Sequence, residues 1–244
     1  MNELYEKLLA SKKYRDVCPD TIRRVIAECE GRYKKAKDME KAVREKLHGI
    51  TSAFMTETEY KRASESESIE EILSCHASTR ERMPLSAMDD LCARIFPEAP
   101  ASILDLACGL NPVYLAAKYP DARITGVDIS GQSVSIMQKR GIDARHGDLL
   151  CAGSIPMERY EAALLFKILP LLERQKSDSA METLLHIHAE RIIISFPTRT
   201  LGGRNVGMEE NYSAWMEAHL PENRFISDRF TTENELVYLL KEKP

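Results

Sequence analysis

From Ala101 onward, short runs of apolar and β-branched residues alternate with segments of helical pattern. There are seven such runs, each about one strand long: 102–106, 123–129, 143–148, 162–169, 191–196, 225–230 and 236–240. This alternation predicts parallel strands joined by crossover helices, in a doubly wound α/β sheet. The linker between the last two runs, 231–235, is too short for a crossover. These two strands are therefore predicted to pair antiparallel.

The first hundred residues have the pattern of helices instead, with apolar residues recurring every three or four positions. We expect one helix to begin at Pro19, which suits a first helical turn, and the next to be capped by Asp38. Residues 61–68 are polar and are predicted to form a loop. Ser68 and Ser78 each stand three residues before a glutamate, so two further helices are expected to begin there.

Length and composition place the chain among compact α/β proteins. Its 244 residues, 43% of them hydrophobic, suffice for one full domain and a smaller appendage. No apolar run approaches the roughly 20 residues that span a bilayer, and the N-terminus lacks the apolar core of a signal peptide. The six cysteines contain no C-x-x-C pair, and the histidines lack ligand spacing. We expect a cytoplasmic protein with free thiols and no metal.

Charge is distributed unevenly along the chain. The formal net charge is −4, yet residues 7–46 carry 13 Lys and Arg against 7 Asp and Glu, and residues 47–244 carry a net charge of −8. A basic arm on an acidic body is expected of a protein that docks on phosphate with one part. Solvated helix faces are the alternative that charge alone leaves open.

In the segment 103–112, an acid near the end of the predicted strand is followed by a turn that contains one glycine. Asp105 closes the run, Gly109 occupies the turn, and Asp128 ends the next run 19 positions later. Dinucleotide sites use three glycines so that the backbone can approach a pyrophosphate. A single glycine with acids after successive strands, Asp148 included, favours S-adenosylmethionine, which has a ribose but no phosphate. Each acid taken alone also fits a turn residue or a helix cap.

Four sequence motifs indicate a particular class of protein: HASTRER at 76–82, ACGLNP at 107–112, FKILPLLER at 166–174 and SFPTRTLGGR at 195–204. Together they resemble the aminoglycoside-resistance 16S ribosomal RNA methyltransferases of the Arm/Rmt type. The resemblance implies a seven-stranded Rossmann-like methyltransferase sheet with an N-terminal all-helical extension. Residues 1–100 would then dock on ribosomal RNA, and residues 101–244 would form the S-adenosylmethionine-dependent domain.

The activity implied by the resemblance is methylation of N7 of one decoding-site guanine, of the guanine 1405 type, within the assembled 30S subunit. A monomer is expected, and the methyl group would confer resistance to aminoglycosides. Two alternatives stay open. A methyltransferase acting on a small molecule would not need the basic arm, and a noncatalytic RNA-binding assembly factor would not need intact strand-end acids.

A set of residues around the strand ends is expected to bind the cofactor: His76, Ser78, Arg82, Asp105, Ala107, Gly109, Asn111, Asp128, Ile129, Asp148, Leu149, Phe166 and Lys167. Asp128 is expected to accept from the ribose hydroxyls and Asp148 from the adenine amino group. Arg82 is expected at the methionyl carboxylate, because a planar bidentate donor suits it, with Arg80 as its competitor.

Guanine N7 carries a lone pair and no proton, so its attack on a methyl group requires no general base. Catalysis is expected to rest on positioning by Lys167, Glu173 and Arg199. A lysine among apolar strand residues needs a partner or a route to water, and Glu173 is expected to pair with Lys167 or with a nearby arginine.

Cations and one aromatic residue are expected to contact RNA: Lys12, Lys13, Arg15, Arg23, Arg24, Arg32, Lys34, Lys35, Arg199, Arg204 and Tyr212. The cations between Arg15 and Lys46 are expected to act without influence on cofactor affinity. Tyr212, Trp215 or Phe196 is expected to stack on an extruded base, although Trp215 also suits core packing.

Overall fold

The computed structural model describes residues 2–51, 55–198 and 207–243. Within these ranges a seven-stranded sheet has the order β3-β2-β1-β4-β5-β7-β6. The strands are β1 Ser102–Leu106, β2 Arg123–Asp128, β3 Asp143–His146, β4 Tyr160–Phe166, β5 Ala189–Pro197, β6 Arg224–Thr231 and β7 Glu235–Glu242. The first five are parallel, and β7 pairs antiparallel with both β5 and β6. The predicted sheet and its antiparallel terminal pair are confirmed.

Twelve helices are assigned in the described residues. Seven precede the sheet: α1 Asn2–Leu9, α2 Pro19–Cys29, α3 Ala36–Thr51, α4 Glu57–Glu65, α5 Ile69–Ser74, α6 Ala77–Arg80 and α7 Leu85–Ile95. Five lie between strands: α8 Asn111–Lys118, α9 Gly131–Lys139, α10 Leu169–Gln175, α11 Ser179–Leu185 and α12 Met208–Ala218. The crossover helices cover both sheet faces, which explains the continuous apolar runs in the middle of β4 and β5.

Alternate residues of each strand enter different cores. Ile103, Leu164 and Ile193 point into one core, whereas Leu104 and Leu165 point into the other. The sheet is therefore buried on both faces, and its polar chemistry is confined to the strand ends, where the loops begin. In an open α/β sheet, the carboxyl ends of the parallel strands are where ligands bind.

The helices before the sheet belong to two different cores. α1 to α3 enclose a core of their own that includes Leu8, Tyr14 and Leu47. In contrast, Ala63 of α4 and Ile72 of α5 pack with the core on one face of the sheet. The sheet therefore begins after residue 100, whereas the boundary between the two hydrophobic cores lies between α3 and α4.

Helix boundaries confirm some predictions and correct others. α2 begins at Pro19, and Ser68 caps α5 by accepting from the backbone nitrogen of Glu71. The loop predicted at 61–68 is confirmed only at 66–68 and is wrong at 61–65, because Thr56 and Glu59 form a complete capping box that starts α4 upstream. Asp38 lies inside the first turn of α3 rather than before it.

Candidate functional site

The turn after β1 is built on two left-handed residues, Ala107 (φ 53°) and Gly109 (φ 56°). The backbone nitrogen of Gly109 donates to Oδ2 of Asp128 at 2.8 Å. A Cβ on Gly109 would lie 2.7 Å from Oγ of Ser78 and 2.8 Å from the ring of His76. Glycine is therefore required here both for its backbone conformation and for the close approach of 76–78.

His76, and not Ser78 as predicted, caps α6. Its Nδ1 accepts from the backbone nitrogen of Ser78 and lies 2.9 Å from Oγ of the same residue. Burial lowers the pKa of His76, although the negative charge of Asp128 opposes the shift. A neutral imidazole can accept at Nδ1, which an imidazolium cannot.

Asp105 is fully enclosed at the end of β1. Its Oδ2 accepts from Nδ2 of Asn111, the first residue of α8, at 2.7 Å. Burial raises the pKa of Asp105 to about 7, while the bond from Asn111 and the positive charge of Arg82 act in the opposite direction. This carboxyl can therefore change its charge near neutral pH.

Two further buried acids follow β2 and β3. Oδ1 of Asp128 accepts from the backbone nitrogen of Ser130 at 2.8 Å. Asp148 accepts from the backbone nitrogen of Leu150 at 2.9 Å through Oδ1, and from Nε of Arg24 at 3.0 Å through Oδ2. The apolar side chains that follow these two acids, Ile129 and Leu149, are partly exposed. Hydrogen-bond acceptors beside exposed apolar side chains suit a nucleoside.

Arg82 and Lys167 share one buried carboxylate of the last strand. Glu235, which is 3% exposed, accepts from Nε of Arg82 at 2.8 Å, and its Oε1 lies 3.3 Å from Nζ of Lys167. Lys167 also donates to Glu81 at 2.7 Å. Burial acts to raise the pKa of Glu235, but the two cations lower it overall. Arg82 further lies over the ring of Phe166, 4.4 Å from its centroid.

The predicted pairing of Glu173 is corrected. Lys167 does not pair with Glu173, because β4 ends at Phe166 and Lys167 turns away with φ 57° towards Glu81 and Glu235. The carboxylate of Glu173 instead accepts from the backbone nitrogens of Asp178 and Ala180, at the start of α11. Arg80 pairs at 3.5 Å with Glu59 of α4.

A cavity of about 380 Å³ opens at the ends of β4 and β5, between α10 and α12. Glu173 and Arg174 line it together with Tyr212 and Trp215. Tyr212 stacks on Phe196 with ring centroids 4.8 Å apart, and this contact leaves Phe196 only 1% exposed. Of the three aromatic residues predicted to stack on a base, Phe196 is therefore enclosed, whereas the rings of Tyr212 and Trp215 are partly exposed in the cavity.

Comparison with known proteins gives a consistent result. Residues 10–239 match the ribosomal RNA methyltransferase (FmrO) family. A 16S rRNA (guanine(1405)-N(7))-methyltransferase of Serratia marcescens is 43% identical, over 99% of this chain and 98% of its own length. The chain belongs to the FmrO family of ribosomal RNA methyltransferases.

Solved structures agree with this membership. An rRNA methylase from Escherichia coli is 40% identical, covers 99% of both chains and superimposes with a TM-score of 0.87. The 16S rRNA methyltransferase RmtF, in complex with S-adenosyl-L-homocysteine, is 43% identical with a TM-score of 0.85, covering 99% of this chain and 98% of its own. Both similarities extend through the helical extension.

The methyltransferase places its predicted cofactor residues around the carboxyl ends of β1, β2, β3 and β4, with the short helix α6 packed against the β1 turn. Asp105 and Asn111 bond directly, as do Gly109 and Asp128. Their individual roles toward the cofactor stay predictions. In the described parts of the chain, no group of three or more His, Cys, Asp or Glu is arranged to hold a metal ion.

The predicted RNA-contacting cations separate into two groups. Arg15 pairs with Glu57, Arg23 with Asp20, and Arg24 with Asp148. The second group is exposed and, within the described ranges, has no carboxylate within salt-bridge distance: Lys12, Lys13, Arg32, Lys34 and Lys35. Arg199 and Arg204 lie outside the described residues.

Sequence reasoning missed Glu235 and Glu81, and it did not anticipate that Arg24 bonds to Asp148. Glu235 directly precedes an apolar run, which was a usable signal, because an acid at a buried strand end needs a cation. Glu81 had no comparable signal in the sequence, because it lies among the histidine, serine and arginines of HASTRER that were predicted to bind the cofactor.

No helix in the described ranges is long and apolar enough to cross a membrane.

Proposed function

We propose that this chain transfers a methyl group from S-adenosylmethionine to N7 of a guanine in 16S ribosomal RNA, at the position its Serratia relative names as 1405. One observation carries the proposal most directly. Buried acids at the carboxyl ends of β1 and β2 and just after β3 lie at the same end of the sheet as a cationic cluster and an aromatic cavity at the ends of β4 and β5. The residues suited to a nucleoside and those suited to the methyl acceptor thus lie at the same end of the parallel strands.

The residues at the strand ends fit the proposed cofactor. Asp128 has a carboxylate suited to the ribose hydroxyls, and Asp148 follows β3, where an adenine amino group needs an acceptor. The charge of Arg82 suits the methionyl carboxylate, and Asp105 suits the methionyl ammonium. When bound, S-adenosylmethionine supplies an electrophilic methyl group on a sulfonium. Acidic side chains nearby favour that positive charge.

Catalysis in this proposal consists of alignment. Guanine N7 attacks in the plane of the ring without losing a proton, so the chain needs to hold the base edge-on and to exclude water. Correct alignment of two reactants supplies roughly 7–11 kcal/mol of the barrier reduction. Glu235 holds Arg82 and Lys167, two of the residues proposed to bind the cofactor, against one buried carboxylate.

The aromatic cavity is the proposed place for the base. In a paired A-form helix, guanine N7 lies in a deep, narrow groove that side chains cannot easily read, so the nucleotide is expected to leave the stack. Tyr212 and Trp215 offer partly exposed rings beside Arg174. Arg199 and Arg204, which lie between β5 and α12 in the sequence, are proposed to hold the flanking phosphates.

Docking is proposed to use the exposed cations of the helical extension. Arg32, Lys34 and Lys35 form an exposed run that also includes Tyr33, whose side chain is 43% exposed. Cations with an interleaved aromatic ring suit phosphates and unstacked bases. We propose that the chain acts as a monomer on the assembled 30S subunit, in the cytoplasm where that subunit resides.

The decisive experiment is incubation of 30S subunits with methyl-labelled S-adenosylmethionine, followed by mapping of the modified nucleotide. We expect a single N7-methylguanine at 1405, and no incorporation by Asp128→Ala. Cells that express the wild-type chain should resist gentamicin and kanamycin, whereas Asp128→Ala cells should stay susceptible. Methylation of free aminoglycoside with none of 30S would replace this proposal with a small-molecule activity. Cofactor-independent 30S binding without methyl transfer would favour an assembly factor.

A further inference from the structure

The helical extension contacts the loop that follows β2. Val17 forms an antiparallel β-bridge with Ser130, the backbone nitrogen of Cys18 donates to the carbonyl of Ile129 at 2.9 Å, and the backbone nitrogen of Gly131 donates to that of Asp16 at 2.6 Å. A Cβ on Gly131 would lie 3.0 Å from the Asp16 carbonyl oxygen. The residues directly after Asp128 are therefore held by the connection between α1 and α2.

A second contact reaches the acid after β3. Arg24 of α2 donates from Nε to Oδ2 of Asp148 at 3.0 Å, from Nη1 to Glu28 at 2.7 Å and from Nη2 to Gln175 of α10 at 3.0 Å. Its side chain is 14% exposed, and that of Asp148 is 5% exposed. One guanidinium thus joins the helical extension, the loop after β3 and the helix after β4.

This arrangement determines the orientation of the Asp148 carboxylate. Oδ1 is directed at the backbone nitrogen of Leu150, and Oδ2 at the guanidinium. A planar guanidinium holds a carboxylate in a defined plane, which a hydrated cation on a flexible stem does not. Without Arg24, a nearly buried negative charge would lose its cation and would reorient or take up a proton.

We propose that Arg24 is a positioning residue for the cofactor: it orients Asp148, so that the helical extension completes the adenosine half of the site. The inference rests on the proposed function, because it takes Asp148 as an adenine contact. It also replaces the expectation that Arg24 binds RNA and that the cations of the extension leave cofactor affinity untouched. Arg24 has its hydrogen-bonding groups directed inward, at Asp148, Glu28 and Gln175.

The test measures the affinity of the full chain for S-adenosylmethionine by titration calorimetry. Arg24→Gln is expected to raise the Kd by about tenfold, comparable to one charge-assisted hydrogen bond. Arg159→Gln is the matched control. It also removes an arginine–glutamate pair, with Glu242 at 2.6 Å, but it lies just before β4, at the amino end of that strand and away from the carboxyl ends that form the site. Its Kd is expected to equal that of the wild type.

A double-mutant cycle separates positioning from general support of the fold. If Arg24 acts through Asp148, the double variant Arg24→Gln/Asp148→Asn should bind the cofactor no more weakly than Asp148→Asn alone. Additive losses would overturn the proposal, because they would mean that Arg24 acts by another route. Arg24→Lys retains the positive charge without the planar guanidinium and should give a Kd between those of the wild type and Arg24→Gln. This variant is measured instead if Arg24→Gln does not fold.

The remaining outcomes distinguish this inference from the proposed function. A wild-type Kd for folded Arg24→Gln, together with weakened binding by Asp128→Ala and Asp148→Asn, would overturn the positioning role and leave the cofactor site intact. Unchanged affinity in both Asp128→Ala and Asp148→Asn would instead remove the cofactor site from these strand ends, and the proposal for Arg24 would fail with it.

Discussion

Asp105 is a carboxyl whose burial has a direct consequence for stability. Its pKa is raised to about 7 in the folded chain and is about 4 in an unfolded one. The folded state therefore binds the proton more tightly, and this residue's contribution to stability falls as pH rises from about 4 through 7. Full ionisation costs at most about 4 kcal/mol, at roughly 1.4 kcal/mol per pKa unit.

We expect Asp105→Asn to remove this pH-dependent penalty. The free energy of unfolding of the variant, relative to wild type, should be higher at pH 8 than at pH 5 by on the order of 2–4 kcal/mol. Urea unfolding at the two pH values measures it, with Asp121→Asn, at an exposed position, as control. Affinity for the cofactor should fall in the same variant. An identical difference at both pH values would show that Asp105 is ionised throughout.

Gly109 allows a prediction with a closely matched control. Gly109→Ala should lower the free energy of unfolding by more than the roughly 1–2 kcal/mol of a left-handed alanine, because its Cβ would collide with His76 and Ser78. Gly141→Ala has a similar φ, 74°, but nothing lies within 4 Å of its Cβ, so it reports the backbone cost alone. Comparison of urea midpoints isolates the collision. Equal losses in both variants would contradict it.

At the scale of elements, α12 and α10 meet over the end of β5 and form the aromatic cavity. The cluster of Arg82, Lys167 and Glu235 connects the end of β4 to the start of β7, with β5 between these two strands. The residues proposed to contact the acceptor base lie on α10 and α12, so they can be altered without changing the side chains proposed for the cofactor.

We predict that Tyr212→Leu lowers kcat/KM for 30S methylation by roughly tenfold or more, because base–aromatic stacking contributes about 1–3 kcal/mol. Affinity for S-adenosylmethionine should stay at the wild-type value. Tyr212→Phe keeps the ring and should retain most activity. Filter-binding methylation assays measure kcat/KM, and calorimetry measures the affinity for S-adenosylmethionine. Loss of cofactor affinity in Tyr212→Leu would mean that α12 supports the fold of the whole site.

At the scale of the whole molecule, charge is divided between paired and free cations. Much of the basic charge in residues 7–46 is neutralised locally: Lys7 pairs with Glu40, Lys46 with Glu28, and Arg44 with Glu40. The potential available to RNA is thus concentrated on fewer residues than the net charge of the segment suggests.

Neutralising two free cations should therefore change the salt dependence of 30S binding. For Lys34→Gln/Lys35→Gln, the slope of log K against log salt should become shallower by roughly 0.7–0.9 for each lost phosphate contact. Lys7→Gln/Lys41→Gln is the matched control, because both ammonium groups already face carboxylates. Binding isotherms at several salt concentrations measure the slope. A larger change in the control would place the docking face on another part of the helical extension.

The amino-acid sequence alone determined the sheet, its antiparallel ending and the acids at the strand ends. These features are local: strand alternation, a short linker and an acid after each apolar run can be read within a few residues. The helix that starts upstream of 61–68 also has a local signal, the capping box of Thr56 and Glu59, but the polar run that follows it is typical of a loop.

Only the tertiary structure decided which partners the charged side chains take. Arg24 meets Asp148 across 124 residues of sequence, and Arg82 meets Glu235 across 153. A charge buried by folding must find its opposite wherever the sheet order brings one close, and the sequence does not encode that proximity locally. For the same reason Glu173 could be expected beside Lys167, six residues away, although its carboxylate instead accepts from two backbone nitrogens at the start of α11.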